Sequence, residues 1–342
     1  MTVRVNKSSF NIREKLSELG RKFGLKGSEL MAAETVKEAR EIVSAGRKNL
    51  VINGAMEIAQ RSTSGTKSGS SYGGYLCVDR WASYYDQTAM EQTSVTIDGK
   101  LKKALKVTAG GSNGRPYVYH KIENSSKFLG DGTPFSISFW MRASAPTIQQ
   151  LQWRYYDNGN ENNGSNQFIK NLNVTTDWQY YKIENLSIPD ASHNRTRDGG
   201  LWNYNNLGEV GSGLWIEFTD VQIELGKQCT EFEQRSVGEE LILCQRYFIR
   251  QDWVLCNNLS NIAYRWVPPG PSVNMRATPA MAYYHPTTGT ANQTYEHSSG
   301  TTRTINSSPA ALSATSGTTT YFGTSTNGTY AQYVRVFMNA EL

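Results

Sequence analysis

The chain has 342 residues, of which 38% are hydrophobic and only 19% are charged, with 19 Tyr, 8 Trp and 30 Gly. A low apolar share combined with many aromatic and turn-forming residues predicts short strands with long turns and argues against a helical bundle. No apolar run approaches the roughly 20 residues that cross a bilayer, and the first residues lack the apolar core of a secretory signal. We therefore expect no membrane insertion.

The positive charge is confined to the start of the chain. Residues 1–48 carry 11 Lys and Arg against 6 Asp and Glu, whereas the remaining 294 residues carry 24 of each. A nucleic-acid binder would spread basic charge over a folded face, so no nucleic-acid partner is expected. The basic leader, residues 1–47, is instead predicted to dock on a partner protein through Phe10, Ile12, Arg13 and Leu16.

A helix is predicted over residues 28–45 of the leader. Ser28 fits the N-cap, and Gly46 fits the C-terminal cap. A weak heptad seam of Leu25, Ala32, Val36, Ala39 and Val43 runs along it. A lone helix of this length is marginal in water, so it needs either sister helices or the following domain. Both alternatives remain open.

Strand-like patterns dominate from residue 48 onward. Apolar and polar residues alternate with a period of two in Phe135–Arg142, which is typical of a half-buried strand. Further strands are predicted at 101–109, 117–124, 151–155, 178–188, 214–218 and 221–225, separated by turn clusters at 110–114, 130–133, 157–166 and 190–213. Seven or eight antiparallel strands over about 180 residues predict a jelly-roll β-sandwich across residues 48–236.

A smaller β domain is predicted over residues 237–342. Residues 239–250 fit a helix or a strand equally well, and a Ser/Thr/Gly/Asn-rich tract occupies 287–329. The chain closes with an alternating strand at 330–338, in which Val334, Val336 and Met338 share one face.

The cysteine and histidine pattern argues against a metal. Cys77, Cys229, Cys244 and Cys256 form no C-x-x-C pair, and only four His are present. No zinc site or other cofactor is therefore expected. Free thiols of a protein made in a reducing cytoplasm are the favoured interpretation, and a bridge between Cys244 and Cys256 stays open.

No catalytic motif stands out. The chain has no G-x-S-x-G, H-E-x-x-H, P-loop or Rossmann pattern. Glycan cleavage needs two carboxylates about 5–9.5 Å apart. Asp157 with Glu161, or Asp190 with Asp198, fit solvated loop charge or a calcium site equally well. We expect a protein that is not an enzyme.

Sugar binding has a firmer basis, because aromatic rings pack on the apolar faces of pyranoses while amides bind the hydroxyls. The candidate residues are Trp153, Tyr156, Trp202, Tyr204 and Asn205. The last three are preferred because they lie in a Gly/Asn-rich tract, although packing between subunits would explain them equally well. Trp140, Trp178 and Trp215 alternate within strands and are expected in the core or at subunit contacts.

The C-terminal domain offers a second candidate surface. Tyr283, Tyr284, His285 and Tyr295 fall in predicted loops. Loop-tip Tyr side chains suit the recognition of variable surfaces. They are predicted to form a receptor-facing tip.

Five strings resemble segments of bacteriophage and prophage tail-fibre proteins. They are RKNLVINGAMEIAQR (47–61), VDRW (78–81), DVQIELGKQCTEFEQR (220–235), EELILCQRYF (239–248) and SVNMRATP (272–279). The leader string RVNKSSFNIREKLSEL resembles N-terminal segments of virion proteins of marine, including cyanobacterial, phages. The middle of the sandwich, residues 82–212, matches no such pattern, so no ligand site is carried over.

The resemblance implies a virion fibre that works as a homotrimer, with a sandwich like that of carbohydrate-binding modules. Residues 1–47 would attach to other phage virion proteins and the C-terminus would face outward, in a protein made in the host cytoplasm. The leading hypothesis is a tail or short fibre that binds a polysaccharide of the host surface. The alternative is a purely structural part, such as a head-decorating fibre or a tail adaptor, without glycan binding.

Overall fold

A computed structural model divides the chain into two compact units, Met1–Lys48 and Asn49–Leu342. It describes residues 48–69, 74–84, 87–110, 116–123, 125, 129, 132–155, 166–187, 199–204, 213–260, 263–266, 274–277, 279–296, 299–305, 320–322 and 332–341. The predicted helix at 28–45 and the predicted docking residues Phe10, Ile12, Arg13 and Leu16 lie outside the described residues.

The strands described between Ser64 and Leu225 build two antiparallel sheets. They are β1 (Ser64–Thr66), β2 (Trp81–Ala82), β3 (Ala89–Ile97), β4 (Lys100–Thr108), β5 (Val118–Ile122), β6 (Phe135–Ala143), β7 (Thr147–Tyr155), β8 (Asn166–Val174), β9 (Gln179–Leu186), β10 (Gly199–Tyr204) and β11 (Trp215–Leu225). The six-stranded sheet has the order β1-β3-β4-β11-β6-β9, and the five-stranded sheet has the order β2-β5-β10-β7-β8.

The two sheets pack face to face around one apolar core. Leu105 and Phe218 of the six-stranded sheet belong to the same buried cluster as Val118 and Leu151 of the five-stranded sheet. In β6 the odd-numbered residues from Phe135 to Ala143 enter this core, as the period-two pattern predicts. The protein is mainly β and contains a jelly-roll β-sandwich, which confirms the predicted fold class.

Two predicted boundaries need correction. The strands predicted at 214–218 and 221–225 form the single strand β11, whose register shifts between Thr219 and Gln222. Asp220 has φ 51° there, so a bulge absorbs the break without ending the strand. Residues 199–204, predicted as part of a turn cluster, form β10 because β5 and β7 pair with it on both sides.

The sandwich is followed by α1 (Val237–Gln245), so the ambiguous segment 239–250 is a helix up to Gln245 and a strand from Phe248. Ser236 and Glu239 form a capping box at its start, which satisfies free backbone N–H groups. Within the described residues, no helix has the length and apolar content needed to cross a membrane.

A seven-stranded sheet follows α1. Its strands are β12 (Phe248–Ser260), β13 (Ala263–Trp266), β14 (Ala280–Tyr284), β15 (Gln293–Glu296), β16 (Thr301–Thr304), β17 (Thr320–Phe322) and β18 (Gln332–Asn339). The order is β16-β15-β18-β12-β13-β17, and β14 also pairs with β18. Val334, Val336 and Met338 of β18 are buried together, as predicted from their alternation.

Strings that are far apart in the sequence meet where the sandwich joins this sheet. The side-chain oxygen of Asn49 accepts the backbone N–H of Ile223 at 3.1 Å. The side-chain amide of Asn53 donates to the carbonyl of Asp79 at 2.9 Å. The backbone N–H of Asn53 donates to the carboxylate of Glu240, 187 residues further along the chain. Four of the five strings, at 47–61, 78–81, 220–235 and 239–248, are therefore joined by buried contacts.

The last residues of the chain reach the same junction. Glu341 forms ion pairs with Arg80 and, at 3.2 Å, with Arg61. Each guanidinium also stacks at 3.6 Å on an aromatic ring, Arg61 on Phe248 and Arg80 on Tyr247. The ion pairs and the cation–π contacts join the end of the C-terminal sheet to the sandwich.

Candidate functional site

The central strand of the five-stranded sheet, β10, carries two of the predicted glycan-binding positions. Trp202 lies opposite Tyr119 of β5 and opposite Gln152 of β7, and Tyr204 lies opposite Gln150. Directly paired positions share one face of an antiparallel sheet. Trp202 and Tyr204 therefore belong to the same face as Tyr119, Gln150 and Gln152. We call this set of five positions the β10 face.

A row of tyrosines borders the β10 face. Ring centroids are 6.1 Å apart between Tyr84 and Tyr117, 6.4 Å between Tyr117 and Tyr119, and 6.3 Å between Tyr119 and Tyr75. All three contacts are edge-to-face, a favourable geometry for aromatic pairs. Tyr117 and Tyr119 are buried, whereas Tyr75 and Tyr84 are half-buried. The row is thus a rigid aromatic border whose two ends reach the surface.

Cations and amides supply the polar part of this region. The Lys121 ammonium lies 5.7 Å from the Tyr119 ring, and the Arg61 guanidinium lies 5.5 Å from the Tyr75 ring. Gln150 and Gln152 are half-buried, and the Gln152 amide donates to the Gln150 side-chain oxygen. The arrangement combines apolar rings with amide groups that can bind hydroxyls.

Trp153 does not belong to this site. It is completely buried in the sandwich core, with its ring centroid 5.9 Å from that of Phe135. Successive side chains of a strand point to opposite faces, so Trp153 lies on the core side of β7 and Gln152 on the outer side. The prediction that Trp153 contacts a ligand is corrected accordingly. Tyr156 and Asn205 lie outside the described residues.

The predicted receptor tip is also partly buried. Tyr283 belongs to the core of the C-terminal sheet, and the Tyr284 ring packs 4.7 Å from Phe337. His285 is buried against Tyr295, at 5.3 Å between ring centroids. Tyr283 and His285 are thus packing residues, which corrects their assignment to an exposed tip. Tyr284 and Tyr295 are half-buried.

His285 has a structural task in the turn that follows β14. Its Nδ1 accepts the backbone N–H groups of Thr287 at 3.2 Å and Thr288 at 3.1 Å. Burial, assisted by the nearby charge of Arg335, lowers the pKa of His285 below its ordinary value. Both effects favour the neutral imidazole, which has a lone pair on Nδ1.

Metal ligands and reactive thiols are the two features of the described residues that bear on catalysis. Across the described ranges, no group of three or more His, Cys, Asp and Glu side chains is placed to hold a metal ion. Cys77, Cys229 and Cys244 are free thiols. Burial raises the pKa of Cys77 to about 11, so this thiol is a poor nucleophile near neutral pH. The carboxylates considered above, Asp157 with Glu161 and Asp190 with Asp198, lie outside the described residues.

Three tryptophans were assigned by sequence to the core or to subunit contacts. Trp140, Trp178 and Trp215 are half-buried on the outer side of the six-stranded sheet, which removes them from the sandwich core, and their role in subunit contacts stays a prediction. The alternation in β6 was sufficient to place Trp140 on the outer side of the sheet, because its neighbours Phe139 and Met141 enter the core.

Comparison with known proteins found solved structures with similar folds. No protein-family model and no curated protein sequence matches the chain. A CBM4 structure is 19% identical over 52% of this chain and 99% of its own, with a TM-score of 0.33. The CBM22-2 xylan-binding domain of Paenibacillus barcinonensis Xyn10C is 17% identical over 43% and 92%, with a TM-score of 0.33.

A phage structure is also similar. The enzymatically active domain of bacteriophage CBA120 tailspike protein 4 is 15% identical over 52% of this chain and 21% of its own, with a TM-score of 0.35. At such identities a likeness concerns the fold and leaves the ligand of this chain open.

Proposed function

We propose that this protein is a phage fibre adhesin that binds a polysaccharide of the bacterial host surface through the β10 face. The observation that carries the proposal is the register of β10. It brings Trp202 and Tyr204 onto one face with Gln150, Gln152 and Tyr119.

The physical basis is a combination of aromatic residues on the central strand β10 and amide residues on the neighbouring strand β7. Aromatic residues offer large apolar area at low conformational cost, and amides offer both donors and acceptors. A site built on strands is held by the sheet, so little order has to be gained on binding. These properties suit a chain of pyranose rings.

The virion role rests on the sequence strings that resemble tail-fibre proteins. In this proposal residues 1–47 attach the protein to other virion proteins, and the protein acts as a homotrimer in the tail or in a capsid-attached fibre. The proposed activity is binding without cleavage, so incubation with the polysaccharide should release no reducing ends.

A second candidate function is a purely structural virion component. The observation that favours it is the use of large aromatics for packing, since Trp153, Tyr117 and Tyr119 are all buried. Under this alternative the β10 face would contact a neighbouring subunit instead of a sugar.

The test is binding of the full-length chain to intact candidate host cells, with periodate-treated cells as the control for glycan. A double variant, Trp202→Ala with Tyr204→Ala, removes the two aromatic positions of β10. Trp178→Ala is the matched control, because it removes a tryptophan from the opposite side of the sandwich. Thermal unfolding of each variant verifies that it is folded.

We expect periodate to abolish binding and the double variant to bind at least about tenfold more weakly, since stacking aromatics dominate such interfaces. The Trp178→Ala protein should bind the untreated cells as tightly as the natural protein. Glycan binding that survives in the double variant would remove the site from the β10 face. No binding by the folded protein to any candidate host would favour the structural alternative.

A further inference from the structure

Near the end of the chain, one carboxylate is shared by two arginines of the sandwich. The Oε1 atom of Glu341 accepts a hydrogen bond from Arg61 at 3.2 Å, and its Oε2 atom accepts one from Arg80. The side chains of Arg80 and Glu341 are buried, and that of Arg61 is only 11% exposed. Charge-assisted hydrogen bonds in such a place are strong, because little water competes for them. Glu341 therefore fixes two guanidinium groups at once.

Contacts at the end of β18 hold Glu341 in place. The N–H of Ala340 donates to the Tyr247 carbonyl at 2.7 Å, and the N–H of Glu341 donates to the side-chain oxygen of Asn339 at 3.1 Å. Asn339 is itself paired with Phe248 at the start of β12. The carboxylate is thus positioned by the C-terminal sheet, although its two partners belong to the sandwich.

Arg61 connects this carboxylate to the tyrosine row that borders the β10 face. Its guanidinium lies 3.6 Å from the Phe248 ring and 5.5 Å from the Tyr75 ring. The Tyr75 ring in turn meets the Tyr119 ring edge-to-face at 6.3 Å. Stacking leaves a guanidinium free to rotate within its plane, whereas a hydrogen bond sets its direction. The bond to Glu341 therefore sets the orientation of Arg61 beside Tyr75.

Arg80 connects the same carboxylate to the neighbouring strand. Its Nη2 atom donates to the backbone carbonyl of Lys121 in β5 at 2.7 Å. Lys121 lies two residues from Tyr119 on the same strand, and Ala82 of β2 lies opposite Tyr119. Arg80 thus holds the part of β5 that carries the centre of the tyrosine row.

Asp79 is the other carboxylate close to these arginines, but it does not replace Glu341. It lies 3.5 Å from Nη1 of Arg61. Within the described part of the chain, this Nη1 atom has no hydrogen-bond partner. Glu341 is therefore the carboxylate that orients Arg61 through a hydrogen bond.

We propose that Glu341 is a positioning residue of the β10 face, and that Tyr75 is the border residue whose ring it holds ready for the sugar. The inference rests on the proposed glycan binding by this face and adds that the C-terminal sheet controls its geometry. Tyr75 is half-buried, and its partner Tyr119 lies opposite Trp202. A binding site weakens when a ring is misplaced by about 1 Å, because the supporting residues set its geometry.

The test uses the full-length protein and measures two quantities. Fluorine NMR of 3-fluorotyrosine-labelled protein reports the surroundings of Tyr75, whose signal is identified by its loss in Tyr75→Phe. Binding of unlabelled protein to intact host cells, with periodate-treated cells as the control, reports the affinity for glycan. Glu341→Gln weakens both ion pairs. Val334→Ala is the matched control, because it opens a cavity in the core beside β18 and leaves the Glu341 carboxylate in place.

We expect the Tyr75 signal to move in Glu341→Gln and the affinity for cells to fall by about three- to tenfold. Neither quantity should change in Val334→Ala once thermal unfolding has verified that the protein is folded. Tyr75→Ala should weaken binding by a similar factor. Adding Glu341→Gln to Tyr75→Ala should cause little further loss, because the two residues act through one connection.

Arg61→Gln keeps the test decisive where Glu341→Gln does not fold. It breaks the connection to Tyr75 and leaves the pair of Arg80 with Glu341 intact. The same change in the Tyr75 signal and the same loss of affinity are expected.

Three results would overturn the proposal while the proposed function stands. They are an unmoved Tyr75 signal in the folded variants, equal loss of affinity in Val334→Ala, and fully additive losses in the double variant of Tyr75 and Glu341. The proposed function fails separately, when the Trp202→Ala, Tyr204→Ala double variant binds the cells as tightly as the natural protein.

Discussion

At the scale of single residues, the pair Asn53 and Gly54 occupies positions that few other residue types can fill. Asn53 adopts φ 60°, a left-handed conformation that Asn tolerates better than most residues. Gly54 lies directly against β11, where the Val221 N–H donates to its carbonyl at 2.9 Å. A Cβ at position 54 would lie 2.2 Å from the Val221 carbonyl oxygen.

The close approach makes Gly54→Ala a sharp test of the junction. The added methyl would push β11 away from residues 49–54, so we expect the free energy of unfolding to fall by about 2–3 kcal/mol. Gly238→Ala is the control, because a Cβ there meets nothing within 4 Å, and helix propensity would raise stability by up to about 1 kcal/mol. Urea denaturation measures both. Equal stability of the two variants would contradict the assigned packing.

At the scale of elements, the turn between β14 and β15 is organised by one buried imidazole. His285 Nδ1 accepts two backbone N–H groups of the turn, from Thr287 and Thr288. The backbone N–H of His285 also donates to the Thr290 carbonyl at 2.8 Å. Arg335 of β18 donates to the Pro286 carbonyl at 2.7 Å and brings a positive charge to the same turn. Protonation of Nδ1 would remove the acceptor and place a second cation beside Arg335.

The turn is therefore expected to weaken in acid. Because the pKa of His285 is lowered in the folded state, its contribution to stability is complete above about pH 6.5 and falls as pH drops toward the lowered pKa. We expect the stability difference between the natural protein and His285→Asn to shrink between pH 8 and pH 5. His120 and Asp79 are present in both proteins, so their titrations cancel. A difference independent of pH, measured by urea denaturation, would contradict this role.

At the scale of the whole molecule, a buried set of charges joins the sandwich to the C-terminal sheet. Glu341 forms ion pairs with both Arg61 and Arg80, and the Asp79 carboxylate lies 3.5 Å from Arg61. Burial raises the pKa of Asp79 to about 7, so Glu341 is the more effective counter-charge for the two guanidinium groups near neutral pH.

Glu341→Gln should therefore destabilise the molecule strongly. It leaves two buried guanidinium groups with less compensating charge, and breaking a buried pair in this way lowers the free energy of unfolding by about 3–5 kcal/mol. Asp177→Asn, at an exposed position near the start of β9, is the matched control and should change stability by less than about 0.5 kcal/mol. Similar denaturation midpoints for the two variants would show that the junction does not depend on Glu341.

Local periodicity accounts for much of what the sequence predicts. The alternation in β6 and β18 correctly separated the two faces of each strand, because a strand sends successive side chains to opposite faces whatever its partners are. The β-rich class followed from the same patterns and from the turn composition. A local pattern does not show which part of the fold a strand face packs against. Trp153 was therefore predicted to bind a glycan although it lies in the core, whereas Trp140, Trp178 and Trp215 lie on the outer side of the sandwich.

The sequence by itself thus determined the mainly β class and which residues of the regular strands share a face. Only the tertiary structure decided that the Gly/Asn-rich stretch 199–204 forms the central strand β10, since its stability comes from pairing with β5 and β7. It also decided that Trp153 lies in the core, that segments around Asn53, Asp79 and Glu240 meet in buried contacts, and that Glu217 and Asp220 are less exposed than the cations paired with them. These properties depend on contacts between residues distant in the chain, which no local pattern encodes.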